Sequence, residues 1–196
     1  IMSYDLLLKG GTVIDGSGRE RFAADVALRG DRIVAVDAHI SASQASQVLD
    51  VGGLIVCPGF IDHHTHYDAQ ILWDPLATCS SWHGVTSIIM GNCGVGLAPC
   101  KPEDRESLVG DLVNVEGMSL DVLQKGVEWS WESFGEYLNA IAAHGLGMNV
   151  GVMLPLSPLR QYVLGAESKE RAATQAETQQ LQTLFREAME AGAFGF

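Results

Sequence analysis

No Lys or Arg occurs between Arg32 and Lys101. The chain has no unbroken apolar run of the ~18 or more residues that a membrane-spanning helix needs. It has no CxxC pair, and no basic region leading into an apolar stretch near its start. Each absence excludes something. With 12 basic residues against 24 acidic ones and a net charge of −12, neither nucleic acid nor an anionic membrane surface is an expected partner, because both need clustered cations. Without a secretory signal, the four irregularly spaced cysteines (Cys57, Cys79, Cys93, Cys100) read as free thiols or a metal ligand rather than disulfides. The expected location is cytoplasmic. Ile1 ahead of Met2 reads as a remnant preceding the natural start.

What is present is a chain of 196 residues, 47% apolar, long enough to bury a sizeable core. Residues 1–57 read as short strands: Tyr4–Lys9, Thr12–Asp15, Ala24–Arg29, Arg32–Val36, Val48–Val51 and Leu54–Val56. Gly16-Ser17-Gly18 and Gly30-Asp31 supply the turns. The expectation is a small all-β module, part of a β-sandwich, with no constellation suggesting chemistry.

The pattern changes at Pro58-Gly59. Over 58–196, strands alternate with helical stretches, which argues for α/β units on a parallel sheet. Phe60–His66, Thr86–Met90 and Asn149–Leu154 are the expected strands, the second apolar enough to be buried on both faces. Ser130 is the expected cap of a helix from Trp131 to Ala143. Thr174–Ala191 is a patterned helix with Leu181, Leu184, Phe185 and Met189 inward, and Ala193–Phe196 reads as a fourth strand beginning. Residues 101–130 read as an irregular, acidic insertion loop. A closed (β/α)8 barrel takes ~250 residues, and after Gly59 about 140 remain. That is three to four βα units of an incomplete barrel, so the chain reads as part of a longer protein.

His64-Thr65-His66 is the sharpest chemical feature. Two residues apart on a strand, both imidazoles would point to one side and reach one ion. At the C-terminal end of a barrel strand they would face the mouth where such enzymes keep their sites. His63 would point away. Cys93, in Gly91-Asn92-Cys93-Gly94, follows the second strand at matching height, and a thiolate is a strong zinc ligand. Asp62 is a candidate acceptor for the second N–H of His64. His39, His83 and His144 read as structural or surface residues, Cys57, Cys79 and Cys100 as non-functional, and Trp129 with Trp131 as packing. Two His and one Cys can form a three-ligand catalytic zinc site.

These segments resemble the N-acyl-D-amino-acid deacylase (D-aminoacylase) branch of the amidohydrolase superfamily, over essentially the whole chain. The segments are Gly30–Val36, Pro58–Asp62 leading into His64-Thr65-His66, Trp82–Thr86, and Gly91-Asn92-Cys93-Gly94. The last discriminates, since hydantoinase- and dihydroorotase-like relatives use a carboxylated lysine instead of the cysteine. The resemblance implies a metal-dependent TIM barrel behind a composite β-sandwich, with one or two zinc ions. It places His64 and His66 at one metal position and Cys93 at the neighbouring one. It implies hydrolysis of a non-peptide C–N bond in a small-molecule N-acyl amino acid, giving a D-amino acid and a carboxylate. The general-base aspartate and two further histidines are expected beyond Phe196, so the remainder of the barrel is needed and these 196 residues alone should be inactive. A homo-oligomer is compatible with the sequence. Relatives carry Pro-His-Gly before a Leu-Arg pair, whereas Leu156 stands here at the histidine position before Leu159-Arg160. A cyclic amidohydrolase and a non-catalytic homologue are the competing readings.

Overall fold

A computed structural model describes residues 3–196; Ile1 and Met2, with the reading of Met2 as the start, lie outside the described residues. The chain divides into two compact units, Ile1–Pro58 and Gly59–Phe196.

The first unit is one five-stranded sheet: β1 (Tyr4–Val13), β2 (Phe22–Arg29), β3 (Arg32–Asp37), β4 (Ala45–Asp50) and β5 (Ile55–Val56). The strand order is β3-β2-β1-β4, with β5 also on β1. β1 runs antiparallel to β2 and parallel to β4 and β5. The two expected strands 4–9 and 12–15 are a single strand, because the glycines between them are absorbed as an irregularity between Leu8 and Gly11. Leu7, Ala27, Ile40 and Ala45 pack as one apolar cluster, and Val13, Ala24 and Val26 as another. Asp25 is the buried charge here. Its carboxylate accepts from Ile40 N (2.9 Å), Gly10 N (2.7 Å) and Lys9 Nζ (3.0 Å). The Ile40 amide foremost, then the Gly10 amide and the Lys9 ammonium, hold its pKa down to about 2 against the opposing effect of burial.

The second unit is α/β. Its strands β6 (Phe60–Asp62), β7 (Val85–Met90) and β8 (Asn149–Val152) are parallel neighbours in that order. Five helices accompany them: α1 (Arg105–Glu116), α2 (Leu120–Gly126), α3 (Phe134–Ala143), α4 (Leu156–Leu164) and α5 (Gln175–Ala191). Beyond α5, whose last turn is closed by left-handed Gly192, the chain meets the far side of β8. Phe194 N donates to Val152 O (2.8 Å) and Leu154 N to Gly195 O (2.9 Å). Ile88, Met90, Leu97, Leu112, Leu123 and Tyr137 are central to the core.

Five sequence expectations need correction. The first strand ends at Asp62, so the histidines lie beyond it. Residues 101–130 are mostly helical rather than a loop. Pro102, Glu103 and Asp104 start the first turn, where a missing N–H and acidic charge both suit a helix N-terminus. Leu108, Val109 and Leu112 then bury one side of α1, and Ser119 caps α2 over buried Leu123. The helix expected from Ser130 begins after Ser133, whose hydroxyl accepts from Glu136 N while Glu136 accepts from Ser133 N. Trp131 precedes it, buried, with its indole N–H on Leu97 O (2.9 Å). On α5, Leu181 and Leu184 pack on the core as expected, but Phe185 and Met189 are exposed, Phe185 standing edge-on to Phe196. β7 is also only half covered: Ile88 and Met90 are fully buried, while Ser87 and Ile89 are half-buried.

Candidate metal centre

The site forms where the backbone leaves β6 and β7, and a single carbonyl organises it. Ile89 O accepts from Thr65 N (3.0 Å), from Thr65 Oγ1 (2.8 Å) and from Asn92 Nδ2 (2.9 Å). Thr65 is buried and sits between the two histidines; Asn92 sits immediately before Cys93. The histidine segment and the cysteine loop are thereby tied to the same backbone atom. Thr65 and Asn92 were not singled out from the sequence. The available signal was a hydrogen-bonding side chain beside each candidate ligand.

Gly91 makes the turn that aims Cys93. It adopts φ +80°, and a Cβ there would lie 2.2 Å from Met153 O, so the backbone of this turn runs hard against the end of β8. Cys93 itself has φ +55°, a left-handed conformation costing a non-glycine residue roughly 1–2 kcal/mol. The result is convergence. His64 Nε2 lies 3.0 Å from Cys93 Sγ, the rings of His64 and His66 are 5.5 Å apart, and the donor atoms of all three residues lie within 4.8 Å of one another. Among the described residues this is the one group of three or more His, Cys, Asp or Glu side chains placed to hold an ion.

The donor set suits a metal. Zinc bonds of about 2.0–2.1 Å to nitrogen and 2.3 Å to sulfur put neighbouring tetrahedral donors roughly 3.3–3.6 Å apart. Small rotations of the three side chains would bring them to that spacing. His64 and Cys93 are exposed and His66 is half-buried, so the centre is open to a small molecule.

The remaining candidates fall as follows. Asp62 lies beside the pair, but its Oδ1 accepts from the His64 backbone N (3.3 Å), while the ring Nε2 of His64 faces Cys93. The expected carboxylate–imidazole contact is replaced by a turn, because β6 ends at Asp62 and the next residues no longer alternate like a strand. His39, His63, His83 and His144 are exposed and outside the cluster, and His144 follows the last turn of α3. Cys57 and Cys79 are free and exposed; Cys100 is buried, its thiol pushed up to about 12 chiefly by that burial and next by the charge of Asp104. Trp129 and Trp131 stack at 5.0 Å, and Trp131 also packs on Tyr137. Leu156 begins α4 and is 45% exposed; a Cβ on Gly94 would touch it at 3.4 Å, so it borders the cysteine loop.

A polar recess of about 440 Å³ opens beside the histidines, lined by Asp62, Tyr67, Gln70, Thr78, Ser80 and Met118 among others. A larger apolar groove of about 580 Å³ lies between α4 and α5 and holds none of the three donors. Chemistry, not size, selects the smaller one.

Residues 47–196 match the model of the family described as "Amidohydrolase family". D-aminoacylase of Alcaligenes xylosoxydans xylosoxydans is 39% identical over 192 residues, which cover 98% of this chain and 37% of that protein. A D-aminoacylase structure whose report concerns its binuclear metal centre superposes with a TM-score of 0.79 at 38% identity, covering 98% of this chain and 38% of its own. The N-acyl-D-glutamate deacylase of Bordetella bronchiseptica, complexed with zinc and a phosphonate mimic of the tetrahedral intermediate, gives 0.81 at 31% identity, covering 99% and 38%. The chain therefore spans little more than a third of the length of these relatives.

Proposed function

The chain belongs to the amidohydrolase family, and from that premise we propose that the whole protein is a zinc-dependent hydrolase of N-acyl-D-amino acids. Water would cleave the amide C–N bond, giving a carboxylate and a free D-amino acid. The observation that carries this reading is the convergence of His64, His66 and Cys93 within 4.8 Å at two adjacent strand ends. The deacylase names of relatives aligned over nearly the whole chain support the substrate class.

In this reading His64 and His66 present neutral imidazole nitrogens and Cys93 a thiolate, held together through Ile89 O. A zinc ion held there would lower the pKa of a bound water to ~7 and would polarise the amide carbonyl. The three donors would serve one ion or be divided between two adjoining ions. The open face of the site admits the acyl amide, and the recess beside Tyr67 and Ser80 borders the reacting position. No Lys or Arg occurs between Arg32 and Lys101, so a cation meeting the substrate carboxylate would come from outside residues 33–100. The proton-handling aspartate and further histidines would likewise come from outside these 196 residues, which alone would not turn over. We read residues 1–57 as part of a β-sandwich and 58–196 as the first three to four units of a (β/α)8 barrel; the parallel order β6-β7-β8 supports the latter. The four free thiols fit a reducing, cytoplasmic setting.

The test is product release by the whole zinc-loaded protein. N-acetyl-D-amino acids should be hydrolysed, their L-enantiomers and hydantoins should not, and chelation should abolish turnover. Hydrolysis of hydantoins with none of N-acyl-D-amino acids would replace this reading with the cyclic-amide one.

A further inference from the structure

Asp68 is the one buried charged side chain among the described residues of the second unit, at 1% exposure. Removing a carboxylate from water costs several kcal/mol on the order-of-magnitude scale unless its surroundings compensate. A sequence that keeps one there is using it. Its surroundings are the loops that build the metal centre. Asp68 follows His66 by two residues on the histidine segment. A Cβ on Gly96, three residues past Cys93, would lie 3.0 Å from Asp68 Oδ1 and 2.7 Å from the Pro155 side chain, which directly precedes α4. The segments after β6 and β7 therefore approach each other at this carboxylate, and Pro155, after β8, packs against the same glycine.

The backbone of Asp68 is fixed as well. The hydroxyl of fully buried Tyr137, on α3, donates to Asp68 O at 2.7 Å. Burial raises the Tyr137 pKa well above its ordinary value, and the nearby Asp68 charge raises it further. Ala69 and Ile71, next along the chain, are buried in the core. Asp68 is thus anchored by α3 and by the core, and its carboxylate lies close to Gly96 at the end of the cysteine loop.

We propose that Asp68 is a positioning residue for the metal centre, a buried strut that sets the histidine segment against the cysteine loop. It touches neither ion nor substrate; it acts through the short stretch of chain that carries His66 and through the Gly96 backbone. Carboxylates behind metal-binding histidines are known to tune affinity by 10–100-fold, by the general behaviour of such supporting shells. The proposal rests on the metal-centre reading above, and its test separates the two.

The whole protein is loaded with cobalt(II), which reports thiolate ligation through a charge-transfer band and ligand geometry through its visible bands. Zinc affinity is measured by competition with a chromophoric chelator. Asp68→Asn keeps the shape of the side chain; it should remain folded, bind zinc about 10–100-fold more weakly, and show altered visible bands. Leu123→Ala, in the core at 0% exposure, should lower the melting temperature and leave those bands unmoved. A folded Asp68→Asn variant with unchanged bands and zinc affinity within about threefold of the parent overturns the proposal. Should Asp68→Asn fail to fold, Gly96→Ala in a Pro155→Ala background decides, since removing the nearer Pro155 clash leaves the methyl crowding the carboxylate: bands altered relative to Pro155→Ala uphold the strut and unaltered bands refute it. A parent protein with no cobalt–thiolate band would instead bring down the metal-centre reading, and this proposal with it.

Discussion

Gly91→Ala tests how tightly the cysteine turn is built. The new methyl would be placed at φ +80°, costing roughly 1–2 kcal/mol from left-handed backbone alone. It would also lie 2.2 Å from Met153 O, where an ordinary carbon–oxygen contact needs about 3.3 Å. Relief requires the end of β8 to retreat by about an ångström, which breaks the Met153 N to Met90 O bond now at 2.9 Å. Losing that bond adds about 1 kcal/mol. The expected total is about 2–3 kcal/mol of destabilisation. Gly94→Ala is the internal control. Its φ is +71°, yet its nearest neighbour would be 3.4 Å away, so it should lose only the backbone term of roughly 1–2 kcal/mol. Urea unfolding of both variants, followed by tryptophan fluorescence and circular dichroism, gives the difference. Equal losses for the two, or a Gly91→Ala loss below about 1 kcal/mol, would refute the close approach that positions Cys93.

Three other outcomes are expected. Asp25 has a folded-state pKa lowered from 3.8 to about 2, so its contribution is intact at neutral pH and is lost as pH falls from about 4 to 2. Acid titration of unfolding should show roughly 2 kcal/mol disappearing over that window, and Asp25→Asn should remove that slope at a cost in neutral stability. Cys100, buried with its thiol raised to about 12, should be the last cysteine alkylated by iodoacetamide in the native protein at pH 8. Peptide mass spectrometry would read this, and early labelling of Cys100 ahead of Cys57 and Cys79 would count against its burial. Ser133→Ala should cost about 1 kcal/mol through loss of the α3 cap, whereas Ser130→Ala should cost little; the reverse order would restore the earlier helix start.

The chemistry at the strand ends was legible because it depends on residue type: two imidazoles and a thiol beside glycines announce themselves. The reason first given for their convergence was not the operative one. Strand alternation would align His64 with His66, but β6 stops at Asp62; Thr65 ties the pair to Ile89 O, and Asn92 ties the cysteine loop to the same atom. A carbonyl serving two loops that lie far apart in sequence leaves no periodic trace. Helices α1 and α2 were missed for a different reason. Acidic residues and Gly110 mask the short apolar run of Leu108, Val109 and Leu112, and only tertiary packing makes it a core face. At α3, two serines three residues apart competed for the cap, and Glu136 decided between them by completing the reciprocal pair with Ser133. Asp68 was invisible for the opposite reason: an acidic residue near polar neighbours reads as surface until burial is known.

The central claim is that His64, His66 and Cys93 together hold zinc. X-ray absorption at the zinc edge of the whole protein tests it most directly. The expected spectrum has a sulfur shell at about 2.3 Å beside nitrogen at about 2.0–2.1 Å, with the sulfur shell absent from Cys93→Ala. A spectrum of nitrogen and oxygen alone, or a sulfur shell that survives Cys93→Ala, would contradict it.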